Sequence, residues 1–249
     1  MSDSISRAER DEVFTNARRG TRPFSFDAAV AAAFDDMAER SIPGYEECVR
    51  TVCWLAAREL NGGTIYDLGA STGTLELALG GWLRTTGTRV VAVDLSEPMV
   101  ARGSDKTRRA GLDDLVEWRT QDIASTPIHD ASMVVSNYVL QFTDPDTRSE
   151  IYQRIFDGLR PGGWLVLSEK TVEAGETEEF FRARYEDFKR TQGYTDEEIE
   201  NKRLALEGVL RPWTVEKTER ALADAGFVGV TLLIRWWNFV TWVAQKPQV

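Results

Sequence analysis

One histidine and two cysteines are all that this 249-residue chain offers for imidazole or thiolate chemistry. His129 sits between Pro127 and Asp130 in what reads as a surface turn. A histidine-based metal site or a Ser-His-Asp triad therefore lacks its central residue, and no metal is expected. Cys48 and Cys53 fall on one predicted helix, about 140° apart around its axis. They predict no disulfide and fit a reducing cytosol. No apolar stretch is long enough to cross a bilayer, and Met1-Ser-Asp-Ser-Ile5 carries no apolar signal run. A cytoplasmic protein with no membrane partner is expected. Positive charge is in deficit: 30 Lys+Arg against 40 Asp+Glu leave a net charge of -10. Direct nucleic-acid binding is not expected, because Lys and Arg on phosphates supply most of that affinity. Also missing are G-x-G-x-x-G and Gly-Lys-Ser/Thr, the cradles of pyrophosphate and triphosphate.

What is present is a strand-turn-helix at Thr64-Ile-Tyr-Asp-Leu-Gly-Ala-Ser-Thr-Gly73. An apolar run meets Asp67, turns through Gly69 and passes into a helical pattern from Thr74. Such a strand leaves its carboxyl end open beside a helix N-terminus, the crevice where open α/β sheets bind nucleotide-like ligands. An Asp-x-Gly-x-x-x-Gly turn without a phosphate lysine suits an adenosine that carries no pyrophosphate. S-adenosyl-L-methionine fits that description.

Around this turn the pattern alternates. Helical stretches from Phe26 to Ala38 and from Tyr45 to Leu60 come first, parted by Pro43-Gly44. Strands are expected at Ile65–Leu68, Arg89–Asp94, Leu115–Arg119, Ala131–Ser136 and Trp164–Leu167, the last after a turn at Pro161-Gly162-Gly163. Helices are expected at Leu75–Leu83, after the Ser96 cap with Pro98 in its first turn, and at Arg148–Leu159. This is a βαβ series around a mostly parallel sheet. A charged helical insertion follows at about 174–210, either a lid over a site, a subunit contact or a solvated spacer. The helix Val215–Ala225 precedes two apolar strands, Val228–Trp236 and Phe239–Ala244, too close for a crossover and so an antiparallel hairpin. The fold class expected is α/β, the class I methyltransferase (Rossmann-like) seven-stranded sheet. Residues 1–249 are read as one domain, with a helical cap at 1–62 and the lid at about 174–210.

Asp94 closes the second strand, where a carboxylate can accept from both ribose hydroxyls; a helix-capping or solvent-facing Asp is the alternative. Asp122, in Gln121-Asp122-Ile123 after the third strand, could accept the adenine amino group while Ile123 covers the ring. Asn137 ends the fourth strand and either faces the ligand or is a satisfied turn amide. Trp236, Trp237 and Trp242 resemble a stacking platform for bases, but without a Lys/Arg run they read better as hairpin packing. On the lid, Lys202 and Arg203 are the cations that could be aimed at an anionic group.

Longer segments carry a more particular likeness. They are Asp36-Met37 with Arg40-Ser-Ile-Pro-Gly-Tyr45, Tyr66-Asp-Leu-Gly69, Ala131-Ser-Met-Val-Val135 with Asn137 and Leu140-Gln-Phe142, and Leu165-Val-Leu-Ser-Glu-Lys170. Beyond these stand Asp187-Phe-Lys-Arg190, Gly193-Tyr194, Glu198-Ile199, Lys202-Arg203 and Leu206-Glu207. From about Phe26 to the C-terminal hairpin the chain resembles the bacterial carboxy-S-adenosyl-L-methionine synthases. The resemblance implies a homodimeric enzyme that takes prephenate and S-adenosyl-L-methionine and carboxylates the sulfonium methyl carbon through a sulfur ylide. Phenylpyruvate leaves, and carboxy-S-adenosyl-L-methionine serves tRNA wobble-uridine modification by a separate enzyme. It also implies that Tyr45, Gly69, Ala70, Ser71, Asp94, Leu95, Asp122, Ile123 and Asn137 bind the cofactor, and that Arg203 pairs with the new carboxylate as the catalytic residue. The chain departs from the family at Ala70 (usually Cys), at Leu95 (usually Asn), at Tyr185-Glu186 (paired histidines) and over Ile234–Phe239. These departures leave a second expectation open: a methyltransferase with the same pocket that acts on a small acidic metabolite.

Overall fold

The computed structural model describes residues 10–15 and 23–248. The Met1–Ile5 segment, and with it the start of the expected cap, lies outside the described residues. Helix α1 (Ala28–Ser41) is opened by the Asp27 carboxylate, which accepts from the Val30 N–H at 3.0 Å. Pro43 and a left-handed Gly44 (φ 72°) break it, and α2 (Tyr45–Glu59) begins at once.

The sheet is built from β1 (Thr64–Leu68), β2 (Arg89–Asp94), β3 (Val116–Thr120), β4 (Ala131–Asn137), β5 (Leu159–Lys170), β6 (Val228–Trp236) and β7 (Phe239–Gln245). Their order is β3-β2-β1-β4-β5-β7-β6. The strands from β3 through β5 pair in parallel, whereas β7 pairs antiparallel with both β5 and β6. This is the expected class I architecture. Helices α3 (Thr74–Thr86), α4 (Glu97–Arg109), α5 (Arg148–Gly158) and α8 (Val215–Asp224) accompany the strands, and the insertion forms α6 (Gly175–Thr191) and α7 (Asp196–Leu206). Ser96 caps α4 by accepting from the Met99 N–H, with Pro98 in its first turn, as expected.

Period-two alternation splits the core between the two sheet faces. Leu68, Val93, Val134 and Leu165 pack with Ile151, Ile155 and Leu222 of α5 and α8. Ile65, Val90, Ala92, Met133 and Val166 pack with Val52, Leu55, Leu79 and Leu83 of α2 and α3. Leu79, Leu83 and Leu222 are essentially inaccessible, and each such burial contributes about 1.5–3 kcal/mol. Trp242 lies wholly inside, its indole N–H donating to Glu219 Oε1 at 3.1 Å, while Trp236 is half exposed. The three tryptophans therefore form no common stacking platform.

One boundary differs from expectation. Pro161-Gly162-Gly163 does not precede β5 but lies inside it. Partners step from Ala131↔Leu159 to Met133↔Trp164, so the turn is absorbed as a bulge. Gly162, at φ 73°, supplies the needed conformation.

Candidate active site

The sheet order reverses between β1 and β4, and at that switch point the carboxyl ends of β1, β2, β4 and β5 open into a cavity of about 720 Å³. Helices α1, α2, α6 and α7 supply its other walls. Each of the residues expected to bind the cofactor or the new carboxylate lines it: Tyr45, Gly69, Ala70, Ser71, Asp94, Leu95, Asp122, Ile123, Asn137 and Arg203. They come from six separate segments that only the fold brings together.

At the glycine turn, Gly69 adopts φ 90°, and a Cβ there would meet Val139 Cγ2 at 2.1 Å, so only glycine fits against the segment that follows β4. Ser71 is left-handed too (φ 49°), and its N–H donates to Asp94 Oδ2 at 2.9 Å. Asp94 Oδ1 accepts from the Ser96 N–H, also at 2.9 Å. Burial raises this carboxyl above its ordinary range, and the backbone donors of Ser96 and Ser71 oppose the rise. Each oxygen keeps a further lone pair for a hydroxyl. Asp122 is exposed at the rim and accepts from the Ala124 N–H at 2.8 Å, while Ile123 beside it is buried. Leu95 is 70 % exposed. Asn137 Oδ1 accepts from Ser168 Oγ at 2.8 Å, so its amide nitrogen remains a donor toward the cavity.

The chain matches a family model described as a methyltransferase domain over residues 65–163. The carboxy-S-adenosyl-L-methionine synthase of Chromohalobacter salexigens is 40% identical over 248 residues, 99% of this chain and 91% of its own length. The like-named protein of Shewanella amazonensis is 38% identical over 240 residues, 96% of this chain and 99% of its own. The chain belongs to the carboxy-S-adenosyl-L-methionine synthase family. It is an enzyme, and S-adenosyl-L-methionine is its ligand. Solved structures carry the fold alone. A Methanococcus maripaludis protein described as an S-adenosyl-L-methionine-dependent methyltransferase superposes with TM-score 0.61 at 20% identity, covering 91% of this chain and 96% of that one. Human N-acetylserotonin methyltransferase in complex with its cofactor gives 0.57 at 15%, covering 95% and 59%.

The residues of this synthase-family member fit such a nucleoside. Gly69, Ala70, Ser71 and Asp94 line one wall of the cavity, and Asp94 presents free acceptor lone pairs that would suit ribose hydroxyls. The lid is less simple. Lys202 and Arg203 are adjacent on α7, about 100° apart, and point differently. Lys202 is buried, and its Nζ donates to Ser41 Oγ at 2.7 Å. Arg203 is half exposed at the mouth, its Nε and Nη2 forked onto the two oxygens of Glu200 at 2.8 and 2.7 Å.

Several lining residues received no site role from the sequence. Asp67 lines the cavity and is buried against Glu76. Burial and the mutual repulsion of the two carboxyls raise Asp67 above the carboxylate range, and burial chiefly brings Glu76 up to about 7. Two buried carboxyl groups so close disfavour being charged together. Phe24, Phe26 and Phe142 form an aromatic wall, with centroids 4.9 Å and 5.2 Å from Phe26. Lys170 and Lys189 also line it. Lys170, at the carboxyl end of β5, stands on the edge where ligand groups gather; Lys189, inside a charged helical run, gave no such signal.

Proposed function

We propose that this protein converts S-adenosyl-L-methionine and prephenate into carboxy-S-adenosyl-L-methionine and phenylpyruvate. The observation that carries the reading is that the nucleoside edge of the sheet and an arginine of the lid line one cavity. S-adenosyl-L-methionine is a substrate here, and its sulfonium makes the methyl carbon acidic enough to lose a proton. Prephenate gives up CO2 and hydroxide as its ring becomes aromatic. The methyl carbon gains the carboxyl, and its proton leaves with the hydroxide as water.

Each residue then has a physical task. Asp94 accepts from the ribose hydroxyls, and Asp122 accepts from the adenine amino group while Ile123 covers the ring. Gly69, Ala70 and Ser71 bring backbone close to the nucleoside, with Tyr45, Leu95 and Asn137 completing its wall. Arg203 receives the new carboxylate. A planar guanidinium holds a carboxylate by two parallel hydrogen bonds, and its present fork on Glu200 is that same geometry. Product binding exchanges one carboxylate for the other. The cap and the lid belong with the sheet in one domain, and α6 and α7 limit the water that would compete for the methyl proton.

A homodimer formed through the sheet edge accords with this reading. Strand β6 is the edge strand and shows Val228, Leu233 and Trp236 to solvent. A cytoplasmic place in tRNA wobble-uridine modification follows from the same reading of the product. No helix among the described residues is long and apolar enough to cross a membrane.

Methyl transfer to a small acid is the second reading, favoured by Tyr185-Glu186 and by the engagement of Arg203 with Glu200. The mass of the nucleoside that copurifies distinguishes them. The carboxylated cofactor supports the synthase; S-adenosyl-L-methionine or S-adenosylhomocysteine alone supports the methyltransferase.

A further inference from the structure

We propose that Lys170 and Lys189 form a second anion pole in the cavity, separate from Arg203, which binds a carboxylate of the acid that reacts with the cofactor. The inference rests on the proposed reaction for the identity of that acid, and on geometry for the pole itself.

The two ammonium groups come from different elements, β5 and α6, and both lie against the ring of Tyr185. Lys170 Nζ lies 4.8 Å and Lys189 Nζ 4.4 Å from the Tyr185 centroid. Lys170 is also 5.8 Å from the centroid of Phe239. Neither Nζ has a hydrogen-bond or ion-pair partner among the described residues. Lys202 is different: its Nζ donates to Ser41 Oγ, and Asp11 stands near enough to favour its charge.

Two ammonium groups at a partly buried cavity wall, with no carboxylate in direct contact, carry a desolvation cost. Burial and the neighbouring Lys202, Lys170 and Arg190 depress Lys189 to about 7, with Glu186 opposing. Burial depresses Lys170 as well, against the pull of Glu178. An incoming carboxylate offsets that cost, and partial burial strengthens the attraction relative to bulk water. The floor beside the cations is aromatic: Tyr185 and Phe239 have centroids 5.0 Å apart, and Tyr138 is 6.0 Å from Phe239. The matching ligand is a carboxylate on a flat or unsaturated ring. Tyr185, which stands where the family usually has histidine, is thereby a specificity-determining wall of this subsite.

The test uses protein loaded with S-adenosylhomocysteine, which has no methyl group to carboxylate, and calorimetric titration with prephenate, on the wild type, Lys170→Gln and Lys189→Gln. Loss of one charge-assisted hydrogen bond is expected to weaken prephenate binding roughly 10- to 100-fold in each variant. Affinity for S-adenosylhomocysteine, measured on the same proteins, stays within about threefold, which also shows that the variants fold. Wild-type affinity for prephenate in both variants overturns the pole. If the wild type binds S-adenosylhomocysteine but no prephenate, the proposed reaction fails instead. Succinate then replaces prephenate as the probe: binding by the wild type that either variant loses supports the pole, and equal binding or none overturns it.

Discussion

The Ser71 N–H donates to Asp94 Oδ2 across 2.9 Å, tying the glycine turn after β1 to the end of β2. The carboxylate is thus oriented in advance, and a ribose meets it without a rotamer having to be fixed. Asp94→Ala removes the acceptors and loosens the turn together. We expect affinity for S-adenosyl-L-methionine to fall roughly 100-fold or more, since hydrogen bonds to a charged group contribute about 1.5–3 kcal/mol each. Titration calorimetry reads this directly. Unchanged affinity removes Asp94 from the ribose site.

Arg203→Leu separates the two cofactors. Its guanidinium is exposed and engaged with Glu200, so its removal costs the fold little. Affinity for carboxy-S-adenosyl-L-methionine should drop roughly 10- to 100-fold, with S-adenosyl-L-methionine within about threefold. Equal losses for both ligands contradict the carboxylate role.

Lys189 should be retained at a cost in stability. Its folded value of about 7 lies below the ordinary 10.5, so the unfolded chain binds more protons between those values. Stability therefore rises with pH across that window, and the full penalty is present below pH 7. Lys189→Met should raise stability at pH 7 by an amount of order a few kcal/mol. It should also flatten the climb between pH 7 and 9. Urea denaturation at several pH values checks both. A variant less stable than the wild type at pH 7, with the slope unchanged, contradicts the burial penalty.

Local and periodic features were legible in the sequence. Asp67-Leu68-Gly69 fixes a strand-to-turn transition by chemistry alone, and the alternation from Ile65 to Trp164 dictates a parallel sheet. Asp94 and Asn137 could be placed on the cavity because strand ends at a switch point open into it. Lys189 could not, because a lysine within Asp187-Phe-Lys-Arg190 looks solvated until α6 is packed over the cavity. The direction of Arg203 was equally hidden. Adjacent helical residues face differently, and only tertiary packing decides that Lys202 turns in while Arg203 meets Glu200. The bulge in β5 escaped because Pro161-Gly162-Gly163 has the local signature of a turn whether it ends a strand or interrupts one.

Whether a carboxyl group reaches the sulfonium methyl carbon can be read by mass spectrometry after the purified enzyme is incubated with S-adenosyl-L-methionine, with and without prephenate. The account predicts a nucleoside heavier by one CO2, with an equal amount of phenylpyruvate, only when both substrates are present. Intact prephenate beside unaltered S-adenosyl-L-methionine, or S-adenosylhomocysteine beside a methylated acid, would contradict it.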